Sequence, residues 1–314
     1  YENPLFLGMG GMHGSYASNM ALTECDLLIN LGSRFDDRLA SNPNEFAPNA
    51  KVVHIDIDES EINKVIPTTL GIVADCKKVL EALVTEHQSH ATYKEWVDHC
   101  LDNKSKHPFK YKEANDTFCR PQEAIEYIGK ITNGEAIVTT DVGQHQMWSA
   151  QFYPFKHHSQ WVTSGGLGTM GFGIPSAIGA QLAAPDKTVV CFVGDGGFQM
   201  TNQEMALLPE YHLNVKIVLI NNGTLGMVKQ WQDKFFNQRF SHSVFNDQPD
   251  FIKMAEAYGV KSFLIDHPNK LKAQLDEAFN YEGPALIEVR ISPTEPVNPM
   301  IPSGKANHEM EGLE

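Results

Sequence analysis

The stretch that decides the fold is VVCFVGDGGFQMTNQEM, which runs from Val189 to Met205. A second stretch, VKIVLINNGTLGMV, repeats the same design from Val215 to Val228. Each opens with a short continuous apolar run, which is typical of a strand buried on both faces of a parallel sheet. The first run ends at Asp195 and the second at Asn222, both beside glycines. Because parallel strands present their carboxyl ends at one sheet edge, we expect these side chains to share a crevice.

This pattern favours a cation bound together with a phosphate ester. The Asp195 carboxylate, the Asn222 amide oxygen and a backbone carbonyl near Thr224 would offer hard oxygens suited to Mg²⁺, which completes its shell with phosphate and water. Glycines let the backbone approach a phosphate closely; they stand at Gly194, Gly196 and Gly197. A helix expected to begin near Thr201 would add amide donors. The alternative is two ordinary turns, since DG and NG are common turn dipeptides.

Composition limits the class of protein. A length of 314 residues suits about two domains. A net charge of −14 argues against nucleic-acid and polybasic membrane partners, and no apolar run approaches the roughly 20 residues of a spanning helix. The chain has neither an initial methionine nor a signal-peptide pattern, so we expect it to start inside a longer protein. Its scattered cysteines predict reduced thiols in a cytoplasmic protein; they are Cys25, Cys76, Cys100, Cys119 and Cys191.

Short apolar strands alternate with helical patterns along most of the chain, which predicts an α/β fold with parallel sheets flanked by helices. We divide it into an incomplete Rossmann-like region at 1–87, a polar linker with a short helix at 88–118, and a second α/β region at 119–291. The proline-rich segment 292–314 is expected to be a mobile or surface-draped tail.

Several blocks of sequence carry a family resemblance. Gly194-Asp195-Gly196, followed about 27 residues later by Asn221-Asn222, resembles the signature of thiamine diphosphate enzymes. The surrounding blocks resemble the large catalytic subunits of acetolactate synthases, also called acetohydroxyacid synthases. These blocks are GMGGMHG, GSRFDDR, VGQHQMW, TSGGLGTMGFGIPSAIGAQ, GMVKQWQ and NPMIPSGKANHEM. The resemblance covers essentially the whole chain.

The resemblance implies a role for each residue around the cofactor. Asp195, Asn222 and the Thr224 carbonyl would ligate Mg²⁺, while Gln144 and His145 would hold the diphosphate from another loop. Further cofactor contacts are implied for glycines and methionines in two other segments, namely Gly165, Gly166, Gly168, Met170, Gly226 and Met227. Met170 would wedge the cofactor into a bent conformation, although a methionine there also suits an ordinary core position.

Met227 and Trp231 are four residues apart on a predicted helix and share one of its faces. Core packing explains this spacing equally well. The resemblance implies that Trp231 lies near the second keto acid, where a large ring would favour 2-ketobutyrate over pyruvate.

A charged cluster, GSRFDDR, follows directly after the first predicted strand. Its arginines could grip an anion, whereas the alternative is a solvated charged turn. The resemblance implies that Arg34 contacts FAD, and that Asp37 and Arg38 contact FAD and the active-site entrance. Asp56 and Asp75 end the next two strands, where they suit a flavin-side polar contact or, for Asp75 above all, a helix cap.

The implied activity is the decarboxylation of pyruvate and its joining to a second 2-keto acid, either pyruvate or 2-ketobutyrate. The products, 2-acetolactate and 2-aceto-2-hydroxybutyrate, lead to valine, leucine and isoleucine. Family members need thiamine diphosphate and Mg²⁺, hold an FAD that does not turn over, form homodimers or tetramers, and include some with a small regulatory subunit.

The family has three α/β domains in series, of which this sequence matches the later part of the central domain and the diphosphate-binding domain. The glutamate that activates the cofactor comes from the first, pyrimidine-binding domain of a neighbouring subunit, and no glutamate here matches it. We therefore expect this chain alone to be inactive. Two alternatives remain open: another thiamine diphosphate enzyme, such as pyruvate oxidase or glyoxylate carboligase, and a non-catalytic nucleotide- or FAD-binding module.

Overall fold

The computed structural model describes residues 3–86, 92–112 and 117–313. These residues form two compact units, and both have an α/β architecture. The larger unit spans Tyr111–Val297, and the smaller unit combines Asn3–Lys110 with Asn298–Glu314. The predicted fold class, parallel sheets flanked by helices, is confirmed.

A three-stranded parallel sheet forms the centre of the smaller unit, in the order β1-β2-β3. Its strands are β1 (Leu27–Leu31), β2 (Lys51–Asp56) and β3 (Leu70–Val73). Its helices are α1 (Tyr16–Glu24), α2 (Cys76–Glu86) and α3 (Lys94–Lys106), and short 3₁₀ turns lie at Pro43–Glu45 and Glu59–Glu61. All three strands occur where the apolar runs predict them.

Helix α3 lies inside the predicted linker, but it packs against α1 as part of the smaller unit. His99 Nε2 on α3 lies 2.6 Å from Glu24 Oε2 at the end of α1. The rings of Tyr16 and His107 are 4.1 Å apart. Within the predicted linker, residues 88–91 and 113–116 are outside the described residues.

The proline-rich C-terminal segment, expected to be mobile or draped over the surface, is instead partly buried from 298 onward, where it belongs to the smaller unit. Ile301 donates its amide to the Met12 carbonyl at 2.7 Å. Asn307 is buried, and its side-chain amide donates to the Leu39 carbonyl at 3.2 Å. The prediction of an exposed tail came from its proline content alone. Its residues instead bond with residues that are far away in the sequence.

The larger unit contains a six-stranded parallel sheet in the order β5-β4-β6-β7-β9-β8. The strands are β4 (Ile137–Thr140), β5 (Trp161–Thr163), β6 (Val189–Gly194), β7 (Val215–Asn221), β8 (Lys261–Ile265) and β9 (Ala285–Arg290). The helices are α4 (Pro121–Ile131), α5 (Gln144–Phe152), α6 (Gly173–Ala183), α7 (Asp195–Thr201), α8 (Leu207–Glu210), α9 (Gly226–Phe235), α10 (Phe251–Ala257) and α11 (Leu271–Asn280). Two 3₁₀ segments lie at Asn202–Ala206 and Pro268–Lys270.

Strands β6 and β7 are buried along their whole length and form the centre of the core. Their register pairs Gly194 with Ile220, so both strands end at the same level of the sheet. Lys216 is a buried polar residue near the start of β7. Its ammonium donates to the carbonyls of Tyr281 and Gly283 at 2.6 and 2.7 Å, and burial lowers its pKa to about 8.

Two helix starts differ from the sequence-based expectation. The helix expected near Thr201 begins six residues earlier, at Asp195, and ends at Thr201. Glycine disfavours helices, so the two glycines after Asp195 predicted a turn. The helix forms despite that preference, and Gly197 leaves no room for a side chain, since a Cβ there would lie only 2.1 Å from Asp141 Oδ1. Gln144, expected in a loop, instead opens helix α5.

Leu219 at the centre of β7 is fully buried, so Leu219→Ala should leave a cavity and lower the free energy of unfolding by roughly 2–5 kcal/mol. The matched control is Leu182→Ala, because Leu182 on α6 is 57% exposed and its loss should cost less than about 0.5 kcal/mol. Urea unfolding followed by circular dichroism measures both. Equal losses in the two variants would contradict the assignment of the core.

Candidate functional site

A cavity of about 180 Å³ lies at the carboxyl ends of β4, β6 and β7. It gathers most of the cofactor and metal residues predicted from the sequence. Its lining includes Gln144, His145, Gly168, Met170, Gly194, Asp195, Gly196, Gly197, Asn222, Thr224, Gly226 and Met227. The structure therefore brings Asp195 and Asn222 together, as their positions after neighbouring strands require.

Three predicted residues of this unit do not line the cavity. Gly165 and Gly166 lie on an exposed loop with open space where a side chain would stand. Trp231 is half-buried one turn beyond Met227 on α9, and its ring meets Phe235 edge to face at 6.1 Å. Its buried indole Nε1 has no acceptor.

Asp195 is almost fully buried at the first position of α7. Its Oδ2 accepts a hydrogen bond from Gln248 Nε2 at 2.7 Å, and its Oδ1 accepts one from the amide of Gly196 at 3.0 Å. Burial raises the pKa of this carboxyl from 3.8 to about 6, against the lowering effect of these hydrogen bonds. Gln248 gave no signal in the sequence, since it lies in an irregular segment far from any strand end.

The two consecutive asparagines at the end of β7, Asn221 and Asn222, make different contacts. Asn221 donates to the buried Glu288 carboxylate on β9 at 2.9 Å and accepts from the Gly223 amide at 3.0 Å. Asn222 lines the cavity, donates to Gln144 Oε1 at 3.1 Å and accepts from the Thr224 amide at 3.1 Å. The second amide is therefore the one available to a ligand in the cavity.

Gly226 is required by the contact between Gln144 and Asn222. A Cβ at this position would lie 2.0 Å from Gln144 Oε1 and 2.5 Å from Asn222 Nδ2. Gly196 is likewise closed to larger residues, because its Cβ would lie 2.6 Å from a methyl group of Leu225. Both glycines thus make room for other side chains of the site.

The His145 ring packs between two glycines, Gly143 and Gly194. A Cβ at Gly143 or at Gly194 would come within 2.8 Å of the imidazole ring. The ring is buried, and burial lowers its pKa to about 4 although the nearby Asp141 acts in the opposite direction. Within the described part of the chain, His145 Nε2 is buried without a hydrogen-bond partner.

Asp141 organises the site and was missed by the sequence analysis. Its Oδ2 accepts from the amides of Gly171 and Gly173 at 2.8 and 2.9 Å, and its Oδ1 accepts from the Val142 amide at 2.9 Å. These bonds hold the turn that carries Met170 against the end of β4. An acid directly after a predicted strand was the available signal, because the same rule identified Asp195.

The cavity fits a diphosphate bound through a hard cation. Two of its polar atoms, His145 Nε2 and Thr224 Oγ1, are buried and unpartnered, which carries a free-energy cost unless a ligand engages them. Asp195 is the one carboxylate in the lining. Among the described residues no three His, Cys, Asp or Glu side chains converge as a metal site, so a cation here needs oxygens from its ligand.

The residues implied in FAD contact all lie in the smaller unit. Arg34 and Arg38 are half-exposed after β1; Arg34 pairs with Asp36 at 3.3 Å, and Arg38 with Asp37 at 3.7 Å. Their guanidinium groups keep exposed donors, which fits an anionic ligand.

The two acids at the ends of β2 and β3 already have partners. Asp56 accepts from the Asp58 amide at 2.9 Å. Asp75 accepts from the amides of Lys77 and Lys78 at 2.9 and 3.2 Å, so it caps α2, as the alternative interpretation expected.

Of the helices in the described ranges, none has the length and apolar character needed to span a bilayer.

Comparison with known proteins yields two family matches. The family described as "Thiamine pyrophosphate enzyme, C-terminal TPP binding domain" matches residues 141–289, and "Thiamine pyrophosphate enzyme, central domain" matches residues 1–83. The first match contains the cavity and the polar residues around it.

The relatives of this chain include several acetolactate synthase large subunits. That of Lactococcus lactis subsp. lactis (strain IL1403) is 54% identical over 312 residues, covering 99% of this chain and 54% of the relative. The isozyme 1 large subunit of Escherichia coli (strain K12) is 45% identical, with 99% of this chain and 55% of the relative covered. For isozyme 2 of the same organism the values are 43%, 98% and 56%. The chain thus spans about half the length of these relatives.

Without divalent cations, Asp195→Asn should stabilise the folded chain by about 1–3 kcal/mol at pH 7. The folded-state pKa of Asp195 lies above its unfolded value, so the stability that its proton confers is complete below pH 3.8 and is lost as the pH rises through about 6. The gain from Asn should therefore vanish near pH 4 and level off above pH 6. Urea unfolding in EDTA across this range measures it, with the exposed Asp186→Asn as the control. A gain that is independent of pH would contradict the assigned cause.

Asp141→Ala should lower the free energy of unfolding by roughly 3 kcal/mol or more. The change removes the acceptor that the amides of Val142, Gly171 and Gly173 use among the described residues. Asp141→Asn, which can still accept at one atom, should lose less. Chemical denaturation compares the two with Asp186→Ala as the surface control. If Asp141→Ala matched that control, Asp141 would not organise the site as described.

Proposed function

We propose, from the premise that this chain belongs to the thiamine pyrophosphate enzymes and resembles the acetolactate synthase large subunits over nearly its whole length, that the protein is an acetolactate synthase. Its reaction would decarboxylate pyruvate and join the remaining two-carbon unit to a second 2-keto acid. The product would be 2-acetolactate from pyruvate and 2-aceto-2-hydroxybutyrate from 2-ketobutyrate, on the route to branched-chain amino acids.

One observation carries the proposal: a carboxylate and an amide from neighbouring strand ends line one cavity that also holds buried, unpartnered polar atoms. Asp195, the Asn222 amide oxygen and the Thr224 carbonyl would hold Mg²⁺. His145 would face the diphosphate. These groups supply the hard oxygens and the polar lining that a magnesium diphosphate needs.

Thiamine diphosphate, when bound, would supply the electron sink that decarboxylation requires. The chain would contribute position and exclusion of water. Met170 and Gly168 line the cavity from the turn held by Asp141, where they would contact the pyrimidine end of the cofactor. Met227 lines it from α9. We propose that Trp231, farther along that helix, borders the second keto acid.

We also propose FAD as a second cofactor, bound through the smaller unit. The exposed donors of Arg34 and Arg38 at the end of β1 support contacts with its anionic diphosphate. Asp37, Asp56 and Asp75 would lie along the same strand-end edge. Asp75 would serve there as the cap of α2.

The assembly and the location are proposals of the same kind. We propose assembly as a homodimer or tetramer, and the name large subunit that the relatives carry supports a small regulatory partner. Five free cysteines, dispersed along the chain, support a reducing, cytoplasmic location.

Asp195→Ala should abolish Mg²⁺-dependent binding of thiamine diphosphate, because the site loses its one carboxylate. Isothermal titration calorimetry measures binding, with the exposed Asp186→Ala as a matched control that should bind normally. Acetolactate formation from pyruvate, assayed in the protein that contains this chain, should disappear with the same variant. Unchanged binding in Asp195→Ala would favour a non-catalytic nucleotide-binding module, and acetyl phosphate as the product would favour a pyruvate oxidase.

A further inference from the structure

Three amide side chains connect the backbone near the end of the larger unit to the proposed cation site. We call Gln230, Gln144 and Asn222, anchored on the Val297 backbone, the amide relay. An amide side chain has an oxygen end that accepts and a nitrogen end that donates, and only the oxygen can ligate a cation. The orientation of the Asn222 amide therefore determines whether this residue can ligate a cation in the cavity.

The first step fixes Gln230. Its Oε1 accepts from the Val297 amide at 3.0 Å, and its Nε2 donates to the Val297 carbonyl at 3.3 Å. A backbone N–H can only donate and a backbone carbonyl can only accept. One orientation of the Gln230 amide satisfies both groups, so the backbone sets it.

The second step fixes Gln144. Its Nε2 donates to Gln230 Oε1 at 2.7 Å and to the Glu295 carbonyl at 3.1 Å. Both neighbours are acceptors, so the nitrogen end must face them. The oxygen end of Gln144 is thereby turned toward Asn222.

The third step fixes Asn222. Its Nδ2 donates to Gln144 Oε1 at 3.1 Å, which leaves Oδ1 as the end that does not face Gln144. Oδ1 accepts one bond, from the Thr224 amide at 3.1 Å, and retains a second lone pair. Gly226 leaves the room in which Gln144 and Asn222 meet.

The anchor is itself held firmly. Glu295 is buried; its carboxylate pairs with Arg120 and accepts from Gln122 Nε2 at 3.0 Å. Trp148 Nε1 donates to the Pro296 carbonyl at 3.3 Å. The backbone from Glu295 to Val297 is thus a fixed reference for the relay.

We propose that Gln230 is a positioning residue, which acts through Gln144 to present the oxygen of Asn222, and not its nitrogen, to the cation. This inference rests on the proposed function, because it requires a cation at Asn222. Gln230 needs no contact with cation or cofactor in this role. If Gln230 acted only through packing, it would not matter which of its amide atoms donates and which accepts.

The test uses Gln230→Glu and Gln230→Lys in two backgrounds. Glutamate keeps an acceptor toward Gln144. Lysine presents only donors, which oppose the Gln144 nitrogen and would turn its amide around at the expense of the hydrogen bond to the Glu295 carbonyl. The turned Gln144 would point its nitrogen at Asn222 and draw Oδ1 away from the cation. With Asn222 present, Gln230→Lys should weaken Mn²⁺ binding about tenfold or more, and Gln230→Glu by less than about threefold.

The second background, Asn222→Asp, should reverse that order. The aspartate carboxylate can only accept hydrogen bonds. In the original orientation the Gln144 oxygen would repel it, whereas in the reversed orientation the Gln144 nitrogen would donate to it. Gln230→Lys should therefore bind Mn²⁺ more tightly than Gln230→Glu there. A simple charge effect favours glutamate in both backgrounds, and a packing effect leaves the ranking of the two variants unchanged. Either of those patterns would overturn the relay.

Binding is measured by the loss of the free Mn²⁺ signal in electron paramagnetic resonance, with thiamine diphosphate present and a blank that contains only the cofactor and the ion. Thermal unfolding checks that each variant is folded. If the unaltered protein fails to bind Mn²⁺ with thiamine diphosphate, the proposed function itself fails. If it binds and the ranking does not reverse, only the relay fails.

Discussion

The pairing of β6 with β7 is the constraint on which the larger unit depends. Their parallel register brings Gly194 opposite Ile220, so Asp195 and the two asparagines emerge at one level of the sheet edge. Both strands are buried throughout, and neither can shift without exposing apolar surface. The site therefore takes its geometry from the core and not from a flexible loop.

The glycines of this site mainly leave room for neighbouring side chains, and their backbone flexibility matters less. Gly143 and Gly194 leave space for the His145 ring, and Gly197 for Asp141. Gly226 does the same where Gln144 meets Asn222. Each substitution would push against a polar side chain of the site, which ties the glycines of the sequence to the preorganisation of the cavity.

Preorganisation has a cost that is visible in the structure. Asp195 carries a raised pKa, and His145 and Thr224 each bury an unpartnered polar atom. Such groups destabilise a folded protein unless a ligand engages them. A diphosphate with a divalent cation would satisfy all three, so the atoms that destabilise the fold would also contribute to the affinity for such a ligand.

The sequence by itself determined the α/β class, most of the strands and the two oxygen-bearing strand ends, because apolar runs and strand-end residues are local features. It did not predict β8. It did not determine that α7 begins at Asp195, that residues from 298 onward join the smaller unit, or that Asp75 caps α2 while Asn221 turns to Glu288. Nor could it reveal Gln248 and Gln230 as partners of the site, whereas Asp141 had an available signal in its place after a strand and was missed. Those assignments depend on hydrogen bonds between residues that are often far apart in the chain, and only the folded structure decides which donors and acceptors meet.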